Sequence, residues 1–217
     1  MCAHTAIRST REHGMKARDT PRFMTQRIGI LGGTFDPVHN GHLAIARAAL
    51  DQGNLDRILF VVAARPPHKK DNDMAAAEDR YRMVELAVAD EPAMEPSRIE
   101  MARDGLSYTS ETLETLHAEM PGASLFLVFG LDTLMDVPTW HRAEFVLANA
   151  HILTIPRPGD FKPDPILDGS YTMLEFEPMG VSSTRVREAV RRGEPLDGMV
   201  PGPVARYIQE RGIYRDP

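Results

Sequence analysis

Short apolar runs that alternate with helical patterns are the feature that most restricts the fold of this chain. Four such runs are rich in Ile, Leu, Val and Phe: Arg27–Leu31, Ile58–Val62, Ser124–Phe129 and His151–Ile155. Each is short enough to be a buried strand, and a helical pattern lies between one run and the next. Such alternation is typical of parallel strands joined by crossover helices. The sequence therefore predicts an α/β fold, a doubly wound parallel sheet with helices on both faces.

The remaining elements are predicted from periodicity and from turn residues. Helices are expected at His42–Leu50, Ala75–Asp90, Thr109–Glu119, Ala143–Ala148, Ser183–Arg192 and Pro203–Arg211. Two further strands are expected at Ser97–Glu100 and Tyr171–Phe176, and a loop rich in Pro and charge at Ala63–Asp73. The 217 residues contain no internal repeat and are enough for one domain with a real core. We expect that domain to span residues 27–217, with a helical segment at its C-terminal end.

Composition excludes several classes of protein. The chain has no apolar run near the ~20 residues that a membrane span needs. Its single cysteine, Cys2, permits neither a disulfide framework nor a thiolate metal site, which is typical of a reducing cytoplasm. The net charge is −6, but residues 1–27 carry about +4, so the rest is near −10. An acidic body of this kind argues against broad nucleic-acid binding, which needs a basic face.

Residues 1–26 differ from the rest of the chain. They have no apolar periodicity and no apolar segment of the kind that a secretory signal contains. We expect them to be a disordered extension, or to precede a true start at Met24.

The stretch GGTFDPVHNGH, Gly32 to His42, follows the first predicted strand. In open α/β sheets, ligands bind at the carboxyl ends of the strands, where this stretch begins. Its glycines allow the backbone to approach a ligand closely, and free N–H groups at the next helix start can bind an anion. The stretch matches neither the G-x-G-x-x-G fingerprint nor a Walker A loop. It predicts a phosphate-binding loop of another kind.

Two histidines in that stretch, His39 and His42, add specificity. They are three residues apart at a helix start, so both imidazoles can face one ligand and donate hydrogen bonds to phosphate oxygens. Phosphoryl-type transfer depends mostly on positioning and on stabilising charge, which suits such a pair. Two alternatives stay open: the pair caps and packs the helix, or it binds zinc with Asp36 as a third ligand.

The run His39-Asn40-Gly41-His42 resembles the T/H-x-G-H signature of nucleotidyltransferases with a Rossmann-like core, and GGTFDPVHNGHL resembles the bacterial nicotinate-nucleotide adenylyltransferases in particular. Further segments are similar to that family in the same order: PPHKK (66–70), DRYRM (79–83), SYTSETL (107–113), DVPTWHR (136–142), PRPG (156–159), VSSTRVRE (181–188) and VPGPVARYI (200–208). The resemblance covers about residues 27–215. Two positions depart from the pattern: Val181 where the family usually has Ile, and Leu131 where it often has Ala.

The resemblance implies transfer of the adenylyl group of ATP to nicotinate mononucleotide in NAD biosynthesis, giving nicotinate adenine dinucleotide and pyrophosphate. The nucleophile is then an anionic phosphate oxygen, so no general base is needed. The implied catalytic residues are His39, His42, Lys69 and Arg187. The implied ATP-binding residues are these two histidines and Arg187 together with Gly32, Gly33, Thr34, Phe35, Arg157, Ser182, Ser183 and Thr184. The implied nicotinate mononucleotide site contains Thr34, Lys69, Thr109, Asp132 and Trp140.

The same resemblance implies Mg²⁺ carried by ATP rather than held by protein ligands, a cytoplasmic location, and room for a homo-oligomer. Each residue also has a plainer reading. Ser182–Thr184 would suit an ordinary N-cap, Lys69 a solvated loop and Trp140 a packing aromatic. Thr109 and Asp132 would suit caps, and Arg157 a loop. The competing functions are adenylyl transfer to nicotinamide mononucleotide or phosphopantetheine, and a non-catalytic nucleotide-binding module on the same fold.

Overall fold

The computed structural model describes residues 25–65, 74–159 and 161–215. Its strands are β1 (Arg27–Gly33), β2 (Arg57–Val62), β3 (Met94–Ser97), β4 (Ser124–Gly130), β5 (His151–Ile155) and β6 (Tyr171–Met173). Within the described residues they form one sheet in the order β3-β2-β1-β4-β5-β6, and every neighbouring pair is parallel. The strand order reverses between β1 and β4, which places the topological switch point at the centre of the sheet.

The described residues form seven α-helices, of which five connect the strands and the last two follow β6: α1 (Asn40–Gln52), α2 (Ala77–Val88), α3 (Thr109–Glu119), α4 (Leu131–Asp136), α5 (Ala143–Asn149), α6 (Ser183–Arg191) and α7 (Gly202–Arg211). Short 3₁₀ turns lie at Val137–Thr139 and Pro165–Leu167. Among the described residues, no helix combines the length and the apolar character needed to cross a bilayer.

Two separate apolar clusters cover the two faces of the sheet. Residues of α1, α2, α6 and α7 pack on one face, and residues of α3, α4 and α5 pack on the other. Alternation along the strands divides the side chains between them: Phe60 and Val62 of β2 belong to the first cluster, and Leu59 and Val61 to the second. The predicted doubly wound parallel sheet, with helices on both faces and helices at the C-terminal end, is confirmed.

Gly29 is required where β1 packs against its neighbours. A Cβ atom at this position would lie 2.7 Å from Ile58 Cγ1 and 2.8 Å from Leu55 Cδ1, closer than side-chain atoms can approach. This glycine of β1, which precedes the Gly32–His42 stretch, therefore serves packing within the sheet rather than a ligand.

The prediction for the third strand was wrong in position. The strand runs over Met94–Ser97 instead of Ser97–Glu100, because buried Met94 pairs with Ile58 of β2 while the chain after Ser97 turns. In that turn the N–H groups of Met101 and Ala102 both donate to the carbonyl oxygen of Arg98.

Other boundaries differ by a few residues. Strand β6 ends at Met173 rather than Phe176, α1 begins two residues earlier than predicted, and α2 is shorter at both ends. Helix α4 was not predicted, since six residues are too few to show a helical period. The expectation for residues 1–26 lies outside the described residues, apart from Thr25 and Gln26, and the division into domains stays a prediction.

Candidate active site

The loop after β1 begins at the centre of the sheet and leads into α1. Gly32 and Gly33 still pair with Val61 and Val62 of β2, so β1 continues two residues beyond its predicted end. Phe35 then takes a left-handed backbone conformation (φ +50°), which is uncommon for a residue with a side chain and marks a position held by its surroundings.

The ring of Phe35 is buried and holds the loop against the sheet and α1. It meets the His42 ring edge-on at 5.0 Å between centroids and lies 5.6 Å from the ring of Phe60. A Cβ atom on Gly33 would lie 3.1 Å from the same ring, so the glycine leaves room for it. The loop thereby presents His42 in a fixed orientation.

The two histidines lie against each other at the start of α1. Their rings stack with 3.6 Å between centroids and 24° between planes. The backbone N–H of His39, the N-cap residue, donates to Nδ1 of His42 over 3.1 Å. Because Nδ1 accepts, a neutral His42 carries its proton on Nε2, which is then a donor. The packing alternative is therefore half right: Nδ1 caps the helix, and the far edge of the ring stays available.

Both imidazoles are held in their neutral form. Burial lowers the pKa of His39 from 6.5 to about 4, and the positive charge of Arg157 adds to the effect. Burial also lowers the pKa of His42 well below its usual value, with further contributions from His39 and Arg157. At pH 7 each ring is uncharged and donates a single N–H.

The start of α6 lies beside this loop. Ser182 is its N-cap, and its hydroxyl accepts from the backbone N–H of Arg185 over 3.2 Å. The hydroxyl of Ser183 donates to the carbonyl oxygen of Pro37 over 2.9 Å, which ties α6 directly to the loop. A Cβ atom on Gly41 would lie 3.2 Å from Val181 Cγ1, so Gly41 allows this close approach. The structure thus brings together the two helix starts that the sequence singled out.

Arg187 lies one turn into α6 and reaches back to the loop. Its Nη1 donates to the carbonyl oxygen of Asp36 over 2.8 Å and lies 3.6 Å from Oδ2 of the same residue. Its Nη2 donates to the hydroxyl of Thr184 over 3.3 Å. Arg187 therefore joins the helix start to the loop that carries the histidines.

Asp36 is 2% exposed, and its carboxylate is occupied by residues outside the histidine pair. Its Oδ1 accepts from the backbone N–H of Ala75 over 3.0 Å and from the hydroxyl of Tyr214 over 2.8 Å. No three His, Cys, Asp or Glu side chains are grouped to hold a metal ion in residues 25–65, 74–159 and 161–215. The zinc alternative with Asp36 as a third ligand is therefore contradicted for the described part of the chain.

A buried arginine that the sequence analysis missed supports the other side of the loop. Arg80 donates from Nη1 to the carbonyl oxygens of Thr34 and Ala63, both at 2.7 Å, and from Nε to that of Ala75 at 3.0 Å. Burial lowers its pKa, and the charge of Asp36 opposes that shift. A sequence signal did exist: DRYRM places Arg80 between apolar positions of a helix, which is unusual for a solvated charge.

Asp132 and Arg157 meet at the ends of β4 and β5. Oδ1 of Asp132, in the first turn of α4, lies 3.5 Å from Nε of Arg157. A Cβ atom on Gly130 would lie 2.6 Å from that same Nε, so the glycine permits the pair to form. Both side chains are exposed, and the charge of Arg157 reaches the histidine pair.

A cavity of about 340 Å³ opens on the other side of the glycines. Gly32, Gly33 and Thr34 line it together with Thr109, at the start of α3, and Trp140. A second cavity of about 510 Å³ adjoins it, with Thr109 and Trp140 in both linings. The indole of Trp140 is half-buried and stands edge-on to Phe129, 5.6 Å between centroids.

Comparison with known proteins gives the family. Residues 30–189 match the model of the cytidylyltransferase-like family. Relatives from Acidothermus cellulolyticus and Saccharopolyspora erythraea, each named "Probable nicotinate-nucleotide adenylyltransferase", are both 38% identical over 87–88% of this chain and 90–94% of their own length. This chain belongs to the nicotinate-nucleotide adenylyltransferase family. It is a nucleotidyltransferase, and the resemblance in its motifs is confirmed.

Solved structures agree on the fold. The Plasmodium falciparum nicotinic acid mononucleotide adenylyltransferase complexed with NaAD superposes with a TM-score of 0.73 at 18% identity, over 87% of this chain and 97% of that one. The same enzyme complexed with APC gives a TM-score of 0.70 at 17% identity, over the same shares. At such low identity the likeness establishes the shared architecture alone.

Leu131 and Lys69 are the two remaining positions of the family pattern. Leu131, where the family often has Ala, packs against the second apolar cluster and is not among the residues that line either cavity described above. Lys69, with the rest of PPHKK, lies outside the described residues, so its predicted role stays a prediction.

Proposed function

We propose that this adenylyltransferase joins the α-phosphoryl group of ATP to the phosphate of nicotinate mononucleotide and releases pyrophosphate. One observation carries the proposal: the loop from Gly32 to His42 has the cavity at its beginning and the histidine pair, beside the start of α6, at its end. A nucleotide on each side would bring two phosphates together at the glycines. Product formation then needs only in-line positioning and neutralisation of charge.

On the ATP side, the first group of donors consists of neutral side chains and backbone N–H groups. His39 and His42 each offer one N–H to the phosphates, from Nε2 in the case of His42. Free N–H groups at Ser182, Ser183 and Thr184 would hold the leaving β- and γ-phosphates at the start of α6, where the helix dipole favours negative charge. The hydroxyls of Ser182 and Thr184 can add donors, whereas the Ser183 hydroxyl already donates to Pro37. N-capping by Ser182 and phosphate binding are compatible.

Charged and aromatic neighbours complete this side. Arg187 adds a positive charge one turn inside α6 and fixes the loop through Asp36. Arg157 supplies a second positive charge beside the histidines. Phe35, whose ring is buried, would contribute through its backbone and through its contact with His42.

On the acceptor side, Trp140 would stack on the pyridine ring. Thr109 is the first residue of α3, and its backbone N–H has no partner within the helix, so it suits the nicotinate carboxylate. Thr34 lies between the two sites, and Asp132 would accept from a ribose hydroxyl at the end of β4. Lys69 is assigned to catalysis and to the nicotinate mononucleotide site by the resemblance alone.

The reaction balances without a general base. An oxygen of the nicotinate mononucleotide phosphate, already anionic near pH 7, forms a bond to the α-phosphorus of ATP. The bond from that phosphorus to the bridging oxygen breaks, and pyrophosphate leaves with the electron pair. Neutral histidine donors can stabilise the developing charge without losing or gaining a proton themselves.

Mg²⁺ would enter this site bound to the phosphates of ATP. The described residues offer no carboxylate cage for it, whereas magnesium commonly binds through substrate phosphates and keeps its waters. When bound, the ion neutralises charge on the triphosphate. A cytoplasmic location and self-association stay predictions from the resemblance.

The proposal is tested by pyrophosphate release from ATP and Mg²⁺ with three acceptors in parallel: nicotinate mononucleotide, nicotinamide mononucleotide and phosphopantetheine. We expect the highest kcat/KM with nicotinate mononucleotide. When CTP replaces ATP as the donor, we expect pyrophosphate release to be slow. Release with phosphopantetheine alone would reassign the acceptor, and no release from folded protein that binds ATP would favour a non-catalytic module.

A further inference from the structure

We propose that Glu100, in the wall of the 340 Å³ cavity, and Arg103, which lies behind it, determine the choice between an acidic and a neutral acceptor by setting the charge at that cavity. The inference rests on the proposed function, since it assigns the pyridine ring to that cavity. It concerns two residues that the sequence analysis did not single out.

The carboxylate of Glu100 lies at the cavity that would receive the pyridine ring. Glu100 lines the 340 Å³ cavity together with Thr109 and Trp140, and it is only 9% exposed. The preferred substrate would bring a carboxylate of its own into this cavity. Two like charges in a site shielded from water repel each other strongly, so Glu100 alone would favour a neutral ring substituent.

The second observation is the group that offsets this charge. Nη2 of Arg103 lies 3.9 Å from Oε1 of Glu100, and the hydroxyl of Thr112 connects the two. Arg103 donates to that hydroxyl over 3.0 Å, and the hydroxyl donates to Glu100 over 2.7 Å. The same Nη2 donates to the carbonyl oxygen of Tyr108 over 3.1 Å, which places the guanidinium at the start of α3, beside Thr109.

The guanidinium of Arg103 is incompletely used by the described residues. Its Nε and Nη1 atoms are buried and have no hydrogen-bond partner in that part of the chain. Nε lies 3.5 Å from the carboxylate of Glu111, within ion-pair distance, but Glu111 is far more exposed than Glu100 and is screened by water. The positive charge of Arg103 is therefore the main charge that offsets the buried carboxylate of Glu100.

Opposite changes in selectivity follow for the two residues. Glu100→Gln keeps the shape and the hydrogen bond from Thr112 but removes the negative charge, so it favours the anionic acceptor. Arg103→Met removes the positive charge that offsets Glu100 and therefore favours the neutral acceptor. At an effective dielectric constant of ~20, one unit charge about 12 Å away changes the relative kcat/KM by about tenfold, and a nearer charge changes it by more.

The measured quantity is the ratio of kcat/KM for nicotinate mononucleotide to that for nicotinamide mononucleotide. We expect the ratio to rise at least about tenfold in Glu100→Gln and to fall at least about tenfold in Arg103→Met, with recovery in Arg103→Lys. The ratio does not depend on the folded fraction, because both acceptors meet the same enzyme. Glu111→Gln is the matched control: it removes a carboxylate beside the same arginine but outside the cavity lining, so a much smaller change is expected.

Unchanged ratios in active Glu100→Gln and Arg103→Met enzymes, or changes in the same direction, would overturn the inference and leave the proposed function standing. If Arg103→Met does not fold, the isosteric Glu100→Gln decides alone: a higher ratio supports the inference and an equal one refutes it. Wild-type protein that releases no pyrophosphate with either mononucleotide would overturn both the proposed function and the inference.

Discussion

Mild acid is expected to destabilise this protein through the histidine pair. Burial lowers the pKa of His39 to about 4, whereas in the unfolded chain the imidazole returns to about 6.5. Between these values the unfolded state binds more protons than the folded state, so the free energy of unfolding falls as the pH falls from 6.5 towards 4. For His39 alone, the step from pH 7 to pH 5 removes about 2 kcal/mol. The pKa of His42 is lowered for the same main reason, which adds to the loss.

Urea unfolding at pH 7 and pH 5 measures this effect when wild type is compared with His39→Gln. Most carboxylates stay ionised at pH 5, so the comparison reports chiefly on imidazoles. The pKa of His151 is also lowered by burial, but that contribution is common to both proteins and cancels. We expect the variant to lose about 2 kcal/mol less than wild type over this step. Equal losses in the two proteins would refute the assignment of a neutral, buried His39.

Three further changes probe the site. His42→Ala should lower kcat by about 10²-fold or more through loss of a transition-state donor, and the free energy of unfolding by only about 1 kcal/mol through loss of the cap; unchanged turnover would contradict the role. Trp140→Ala should raise KM for nicotinate mononucleotide about tenfold or more, as loss of stacking does, with Trp140→Phe restoring most of it; an equal rise in KM for ATP would argue for a general packing defect. Asp36→Asn should lower the free energy of unfolding by about 3 kcal/mol in thermal or urea melts, because it leaves Arg80 and Arg187 without their shared carboxylate; a loss below about 1 kcal/mol would show that the carbonyl acceptors suffice.

The parts of the fold that sequence predicted well are those with a strong local period. Strand β5 and helix α3 have the predicted bounds, since His151–Ile155 has three large apolar residues within five and Thr109–Glu119 repeats its buried positions at helical spacing. Strand β3 was misplaced because it is a short edge strand whose only buried residue is Met94. Weak periodicity in short elements leaves several positions equally good.

The residues of the candidate site also fall into those that the sequence predicted and those that it did not. The glycines and histidines were found because they are neighbours in sequence, and the structure places them at one loop. The supporting contacts of that loop were missed: Arg80 reaches Thr34 across 46 positions, and Tyr214 reaches Asp36 across 178. A single sequence carries no local sign of contacts between such distant residues.

The bond between Tyr214 and Asp36 has a consequence for how the protein is made. The loop that holds the histidines is among the first parts of the domain to leave the ribosome, yet its buried carboxylate receives this partner only after a further 178 residues have been synthesised. Chains usually fold from the N-terminal end as they emerge, so the sheet can assemble while Asp36 still lacks the tyrosine hydroxyl. A nascent chain stalled before Tyr214 would have the motif but not this part of its support.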